Sequence, residues 1–261
     1  MHFISLAVLL SVFGRMKKLI IILLIASSAL VAGKINIAVA ANVSYAMDEL
    51  KAEFKKSNPD TDVRVTFGGS GKLTAQIASG APFGIFMSAD MDFPNALYEQ
   101  KAAVTKPVVY AQGTLAYLSV KPIDFSKGIL VIADKSIKKI AVANPKTAPY
   151  GKAAVKAMQN GKVYESVRDK FVFAESISQV VTYAVTAADI GFVAKSSFYS
   201  PTMTKYKEGV NWASVDTKLY APIQQGIVLL KYGANNSEYR AFYDFILSQK
   251  AKIILKKYGY L

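Results

Sequence analysis

From residue 34 onward, short apolar runs alternate with longer stretches whose apolar residues recur every three to four positions. The short runs read as strands and the periodic stretches as helices. Residues 34–40 predict a strand and 43–56 a helix, with Ala46, Leu50 and Phe54 on one face. A strand over 62–67 follows, then a helix over 71–79 stopped by Gly80-Ala81-Pro82. Residues 84–87 predict a strand and 93–100 a helix. Further strands are expected over 113–120, 139–143, 171–173 and 190–193, with helices over 152–159 and 177–186. Residues 223–230 form a last long strand, before helices near 237–249 and 251–258. Such alternation predicts an α/β fold with largely parallel sheets. The order predicts two lobes, one of residues 34–112 plus 223–261 and the other of 113–222, with a ligand cleft between them.

The first 33 residues break this pattern. Arg15, Lys17 and Lys18 precede an unbroken apolar run from Leu19 to Ile25, and small residues lead to Gly33. A basic region, a short apolar run and small residues before a polar start describe a secretory signal peptide. The run is shorter than the roughly 20 apolar residues that a spanning helix needs. Residues 1–33 are therefore expected to be a signal cleaved near Gly33–Lys34, with an uncleaved anchor as the alternative, and Met16 reads as a possible true start. The remaining chain is expected to be soluble and exported.

Composition narrows the chemistry. The 261 residues contain no cysteine and a single histidine, His2, which lies in the signal. Disulfides, a lipoprotein attachment site, thiolate metal sites, ordinary zinc sites and catalysis by Ser-His-Asp or Cys-His are excluded in the exported chain. Arg15, Lys17 and Lys18 are the only charges lost with the signal apart from its His, so the net charge falls from +14 to +11. The lysines are scattered, with no long block, so they read as solvated faces with a modest field for anions and not as a nucleic-acid stripe.

Four turns stand out: Asn42, Gly69-Ser70, Pro149-Tyr150-Gly151 and Ser176-Ile177. Each follows an expected strand and opens an expected helix. The start of a helix leaves backbone N–H groups without partners at the positive end of the dipole, a ready seat for an anion. Asn42, Ser70 and Tyr150 add side-chain donors. Any one of these turns alone reads equally well as a helix cap. The stretch Gly68-Gly69-Ser70-Gly71-Lys72 is similar to a fragment of a phosphate loop, but Thr66 and Leu73 stand where that loop needs Gly and Ser or Thr.

Taken together and in order, several motifs carry a resemblance. They are Ala40-Ala41-Asn42-Val43-Ser44-Tyr45-Ala46-Met47, Phe67-Gly68-Gly69-Ser70-Gly71-Lys72-Leu73 with Gln76-Ile77, Gly80-Ala81-Pro82, and Phe86-Met87-Ser88-Ala89-Asp90. They continue through Ala143-Asn144-Pro145, Pro149-Tyr150-Gly151, Ala174-Glu175-Ser176-Ile177, Asp189-Ile190-Gly191-Phe192-Val193 and Ala241-Phe242-Tyr243-Asp244-Phe245. The chain resembles the periplasmic molybdate-binding proteins of ABC importers, which have the two-lobed type II periplasmic binding protein fold. The resemblance implies a non-enzymatic monomer that captures molybdate, and with it tungstate, and delivers it to a membrane permease driven by an ATPase. It implies no cofactor, and a tetrahedral oxyanion held by hydrogen bonds alone, with no direct coordination of the metal. Carried over, the oxyanion ligands are Asn42, Ser70, Tyr150 and Ile177, with Ser44 as an addition. One departure is Ala194, where some members place a ligand tyrosine; Tyr150 is expected to supply the phenolic donor instead.

Two alternatives stay open. One is a carrier for another oxyanion such as sulfate, or for ferric ion. The other is an enzyme on the same bilobal fold, in which Asp90, Glu175 or Asp189 would form an acid–base pair.

Overall fold

In the computed structural model, which describes residues 33–261, the apolar runs become the strands of two five-stranded sheets. The expected signal lies outside the described residues except for Gly33, which begins β1. In chain order β1 is Gly33–Ala40, α1 Ser44–Lys55, β2 Thr61–Gly68, α2 Ser70–Ala78, β3 Ile85–Met87, α3 Asp92–Glu99 and β4 Val108–Gly113. Next come β5 Leu115–Leu118, β6 Ile140–Ala143, α4 Pro149–Asn160, α5 Tyr164–Val167, β7 Phe171–Ala174, α6 Ile177–Thr186, β8 Ile190–Ala194 and β9 Trp212–Ser214. The chain ends with β10 Ile223–Leu229, α7 Ser237–Leu247 and α8 Gln249–Lys257.

The first sheet has the order β2-β1-β3-β10-β4 and the second β7-β6-β8-β5-β9. The chain passes from one to the other between Gly113 and Leu115, and returns between Ser214 and Ile223. Helix faces cover both sheets. Leu50 and Phe54 of α1 and Phe242 and Ile246 of α7 are buried with Ile37 and Val39 of β1. The rings of Phe54 and Phe242 meet edge to face, with centroids 5.0 Å apart. Ala154 of α4 and Val180 of α6 are buried with Ile140, Val142 and Phe192 in the second core.

Two expectations change. The sheets are mixed and not largely parallel: β1–β3, β6–β7 and β6–β8 are parallel, whereas β10 runs antiparallel to β3 and β4, and β5 antiparallel to β8 and β9. Strands that enter a sheet from the other sheet need no crossover helix, so nothing constrains them to run parallel. The strand expected over 113–120 also narrows to β5, while Gly113 ends a separate strand, β4, which belongs to the other sheet and was not expected. The run Val108-Val109-Tyr110-Ala111 carries the apolar signature of a strand, and the sequence reading passed over it. Among the described residues no helix is long and apolar enough to cross a membrane.

Candidate functional site

The four turns singled out in the sequence line one cavity. Its walls are Ala40, Ala41 and Asn42 after β1, Gly68, Gly69 and Ser70 after β2, Ala148, Pro149 and Tyr150 after β6, Ile177 after β7, and Ala89. Both sheets contribute. The cavity is small, about 10 Å³. Ser44, half-buried on the first turn of α1, does not line it.

Side-chain caps distinguish these turns from one another. Neither the 3-10 turn Ala41–Val43, nor α2, nor α4 has a side-chain cap; only α6 has one, where the Ser176 hydroxyl accepts from Gln179 N–H. Asn42 and Ser70 therefore do not serve the local role that favours Asn and Ser at such positions. The N–H groups of Asn42, Ser70, Tyr150 and Ile177 make no hydrogen bond to another element among the described residues. Standing in first turns, they have no acceptor within their own helices either.

The side chains differ in what they have left to give. Ser70 Oγ accepts from Ala89 N–H at 3.0 Å, and its own proton has no acceptor among the described residues. Tyr150 is fully buried; its hydroxyl accepts from Gln225 Nε2 at 3.2 Å and likewise keeps its proton unspent. Burial pushes this phenol well above its ordinary 10.0, so it is a neutral O–H at any ordinary pH. Asn42 is arranged otherwise than the sequence suggested. Its amide nitrogen donates to Gln225 Oε1 at 2.9 Å and to the Tyr260 hydroxyl at 3.0 Å, which uses both N–H bonds, and its Oδ1 is buried without a partner. Asn42 therefore has only its backbone N–H to offer at the cavity. Ile177, with its apolar side chain, has the same single donor.

Gln225, Tyr260, Tyr110 and Ser196 make up the rest of this buried polar cluster, and sequence reasoning missed them. Tyr110 O–H donates to Gln225 Oε1 at 2.9 Å, and Tyr260 O–H and Ser196 O–H donate to the Asn42 carbonyl at 2.7 and 3.0 Å. One signal was available: Gln224-Gln225-Gly226 interrupts an apolar strand, and two adjacent strand residues face opposite ways, so one Gln had to face inward.

Around the cavity the two sides are tied together. Gly71 N–H donates to Thr147 O at 2.9 Å, and Ser178 Oγ donates to Ala41 O at 2.9 Å. Lys72 pairs with Glu175 at 3.0 Å and Lys152 with Asp92 at 2.8 Å, all four side chains being exposed. A Cβ on Gly69 would lie 2.6 Å from the Glu175 carbonyl oxygen, so only glycine permits this approach. The candidate acid–base carboxylates are dispersed. Asp90 accepts from Ser88 Oγ at 2.9 Å, Glu175 holds Lys72, and Asp189 accepts from the N–H groups of Lys138 and Lys139. Among the described residues no group of three or more His, Cys, Asp or Glu is arranged to hold a metal ion.

Comparison with known proteins agrees with this architecture. A molybdate-binding protein of Rhodobacter capsulatus is 40% identical over 233 residues, covering 88% of this chain and 89% of that one. A molybdate-binding protein of Azotobacter vinelandii is 36% identical over 233 residues, covering 88% and 90%. The solved periplasmic molybdate-binding protein of Azotobacter vinelandii superposes with a TM-score of 0.79 at 29% identity, covering 87% of this chain and 98% of that one. The fold is thus the bilobal one of periplasmic binding proteins. The family model described as bacterial extracellular solute-binding protein matches residues 35–261, and the chain belongs to that family.

Proposed function

We propose that this chain is the exported solute-binding component of an ABC importer, and that it captures molybdate or tungstate as a free tetrahedral oxyanion. The observation that carries the reading is the convergence of four helix starts from two sheets on one cavity, with N–H groups that have no other partner. A dianion taken out of water must recover its hydration as directed donors. The backbone N–H groups of Asn42, Ser70, Tyr150 and Ile177 and the hydroxyls of Ser70 and Tyr150 provide them, with no cationic side chain lining the cavity. Ser44 has no part in this reading. The names of the relatives support molybdate over other anions. Donors from both sides line the cavity, so closing the two sides on the ligand brings the full set together.

Delivery would be to a permease and its ATPase, with the chain acting as a monomer and performing no chemistry on its cargo. Thermal denaturation with molybdate, tungstate, sulfate and phosphate tests the reading. A ligand at 100 times its Kd stabilises the native state by about 2.7 kcal/mol. Molybdate and tungstate should raise Tm and the other two should not. A shift with sulfate or phosphate alone would overturn the assignment.

A further inference from the structure

We propose that Gln225 is a positioning residue that fixes the direction in which the Tyr150 hydroxyl offers its proton, and thereby restricts the cavity to anions that bring only acceptors. The inference rests on the reading of the cavity as an oxyanion site.

The direction follows from a chain of hydrogen bonds that starts at a group with no choice. The Asn42 carbonyl can only accept, and Tyr260 O–H donates to it at 2.7 Å. That spends Tyr260's one proton, so its oxygen presents a lone pair, which takes an N–H of the Asn42 amide at 3.0 Å. The second N–H of that amide meets Gln225 at 2.9 Å and requires an acceptor there, which is Oε1. Tyr110 O–H donates to the same oxygen at 2.9 Å, nearer than its other acceptor, the Ser88 carbonyl at 3.4 Å. With Oε1 so placed, Nε2 faces Tyr150 and donates to its oxygen at 3.2 Å. Tyr150 is left with a proton and nothing in the described protein to receive it.

Two backbone features serve this arrangement. A register shift against β4 at Gln225/Gly226 in β10 re-aims the strand at this point, and Gln225 is fully buried where Gln224 beside it is exposed. Close by stands Gly113, the last residue of β4, where a Cβ would overlap the Tyr150 hydroxyl and lie 2.6 Å from Gln225 Nε2. The bond between Gln225 and Tyr150 also joins β10 of the first sheet to α4, whose Ala154 is buried in the second core.

A phenol held this way presents a hydrogen and not a lone pair to the occupant of the cavity. A fully deprotonated tetrahedral dianion meets it with an acceptor. An anion carrying its own O–H, such as hydrogen phosphate, sets donor against donor at one vertex, at the cost of an unmade buried hydrogen bond.

The test is calorimetric titration of the full exported chain with molybdate, using wild type, Gln225→Met, Gln225→Glu, Tyr150→Phe and the double variant Gln225→Met/Tyr150→Phe. If wild type binds no oxyanion, the functional reading fails, and this inference with it; the variants discriminate only where wild type binds. Gln225→Met is expected to weaken binding about tenfold, and the double variant to bind no more weakly than Tyr150→Phe alone, because Gln225 acts through that hydroxyl. Gln225→Glu keeps the shape but takes the Tyr150 proton for itself, so binding should fall about a hundredfold near pH 8. It should recover toward about pH 5.5, because burial raises a carboxyl's pKa and the protonated acid again donates to Tyr150. Wild type should change little over the same range. Equal losses from Gln225→Met in both Tyr150 backgrounds would overturn the proposal, as would a Gln225→Glu variant that folds and shows no recovery at low pH. Gln225→Glu differs by one atom, so the pH profile stands even if the methionine variant does not fold.

Discussion

Replacing Ser70 by alanine separates two roles that one hydroxyl performs. Its oxygen accepts from Ala89 N–H at 3.0 Å, and its proton is free for a ligand. Losing the acceptor leaves a buried N–H unpaired, at a cost of about 1–3 kcal/mol to the native state. For a chain of this size that lowers Tm by about 2–4 °C for each kcal/mol. The penalty is present with and without ligand, so it cancels from the affinity. Losing the proton removes a hydrogen bond to a charged group, worth about 1.5–3 kcal/mol, or roughly ten- to a hundredfold in Kd. Calorimetric titration with molybdate reads the second effect, and thermal denaturation without ligand reads the first. Ser44→Ala is the control: it lies beside the site in sequence but not at the cavity, and its Kd should stay within about twofold of wild type. A Ser70→Ala protein that melts early yet binds molybdate as wild type does would show that the hydroxyl only supports Ala89, and would refute the reasoning.

Three further outcomes follow from the same geometry. Gly113→Ala should weaken molybdate binding about tenfold by displacing the Tyr150 hydroxyl; unchanged calorimetric affinity would mean that this hydroxyl does not reach the anion. Burial holds the phenols of Tyr110, Tyr150 and Tyr260 above their ordinary 10.0. Above about pH 10 the unfolded chain therefore binds fewer protons than the native one, so stability is full below that pH and falls as pH rises toward the raised native values. Urea midpoints that stay level from about pH 9 to pH 11.5 would contradict it. The rim pairs Lys72–Glu175 and Lys152–Asp92 are exposed and worth about 0–1 kcal/mol each. Converting both lysines to alanine should cost less than about tenfold in affinity, with a weaker salt dependence than wild type; a larger loss in titrations at high salt would place the binding energy at the rim and not in the cavity.

The sequence made the four turns legible because each joins two local signals, an apolar strand and a helix opened by small or polar residues. Asn42, Ser70, Tyr150 and Ile177 sit at such junctions, and all four line the cavity. What each side chain does there was not legible, because it depends on partners far along the chain. Asn42 is occupied by Gln225 and Tyr260, 183 and 218 residues away. No periodicity or turn chemistry near Asn42 announces that its amide is already spent. The same limit accounts for β4 and β5. Local hydrophobicity locates β5, but only pairing, of β4 with β10 and of β5 with β8, assigns these neighbouring strands to different sheets. The helix ends were closer to the surface of the sequence. Pro149 marks the start of α4 three residues before the expected position, in keeping with the preference of proline for the first turn.

On the proposed reading, affinity and release follow from one arrangement of charge. The groups at the cavity are neutral N–H and O–H donors, and the formal charges that cross between the two sides sit at the exposed rim. A lysine or arginine in the cavity would attract any anion, but it would have to be desolvated in the closed, empty protein as well. Neutral donors avoid that cost and gain strength only when a charge arrives. Besides what a ligand contributes, the two sides are joined by the Gly71–Thr147 and Ser178–Ala41 hydrogen bonds, the contacts of Ser196 and Gln225, and two ion pairs of little worth. Shifting a two-state equilibrium from 1:99 to 99:1 takes about 5.5 kcal/mol of differential binding. Three or four hydrogen bonds to a charged ligand, at about 1.5–3 kcal/mol each, reach that figure when they are divided between the two sides and form together only on closure. A modest closing energy in the empty protein is therefore a requirement of the cycle: it lets the anion itself decide when the cleft shuts, and it leaves a cleft that a membrane partner can reopen.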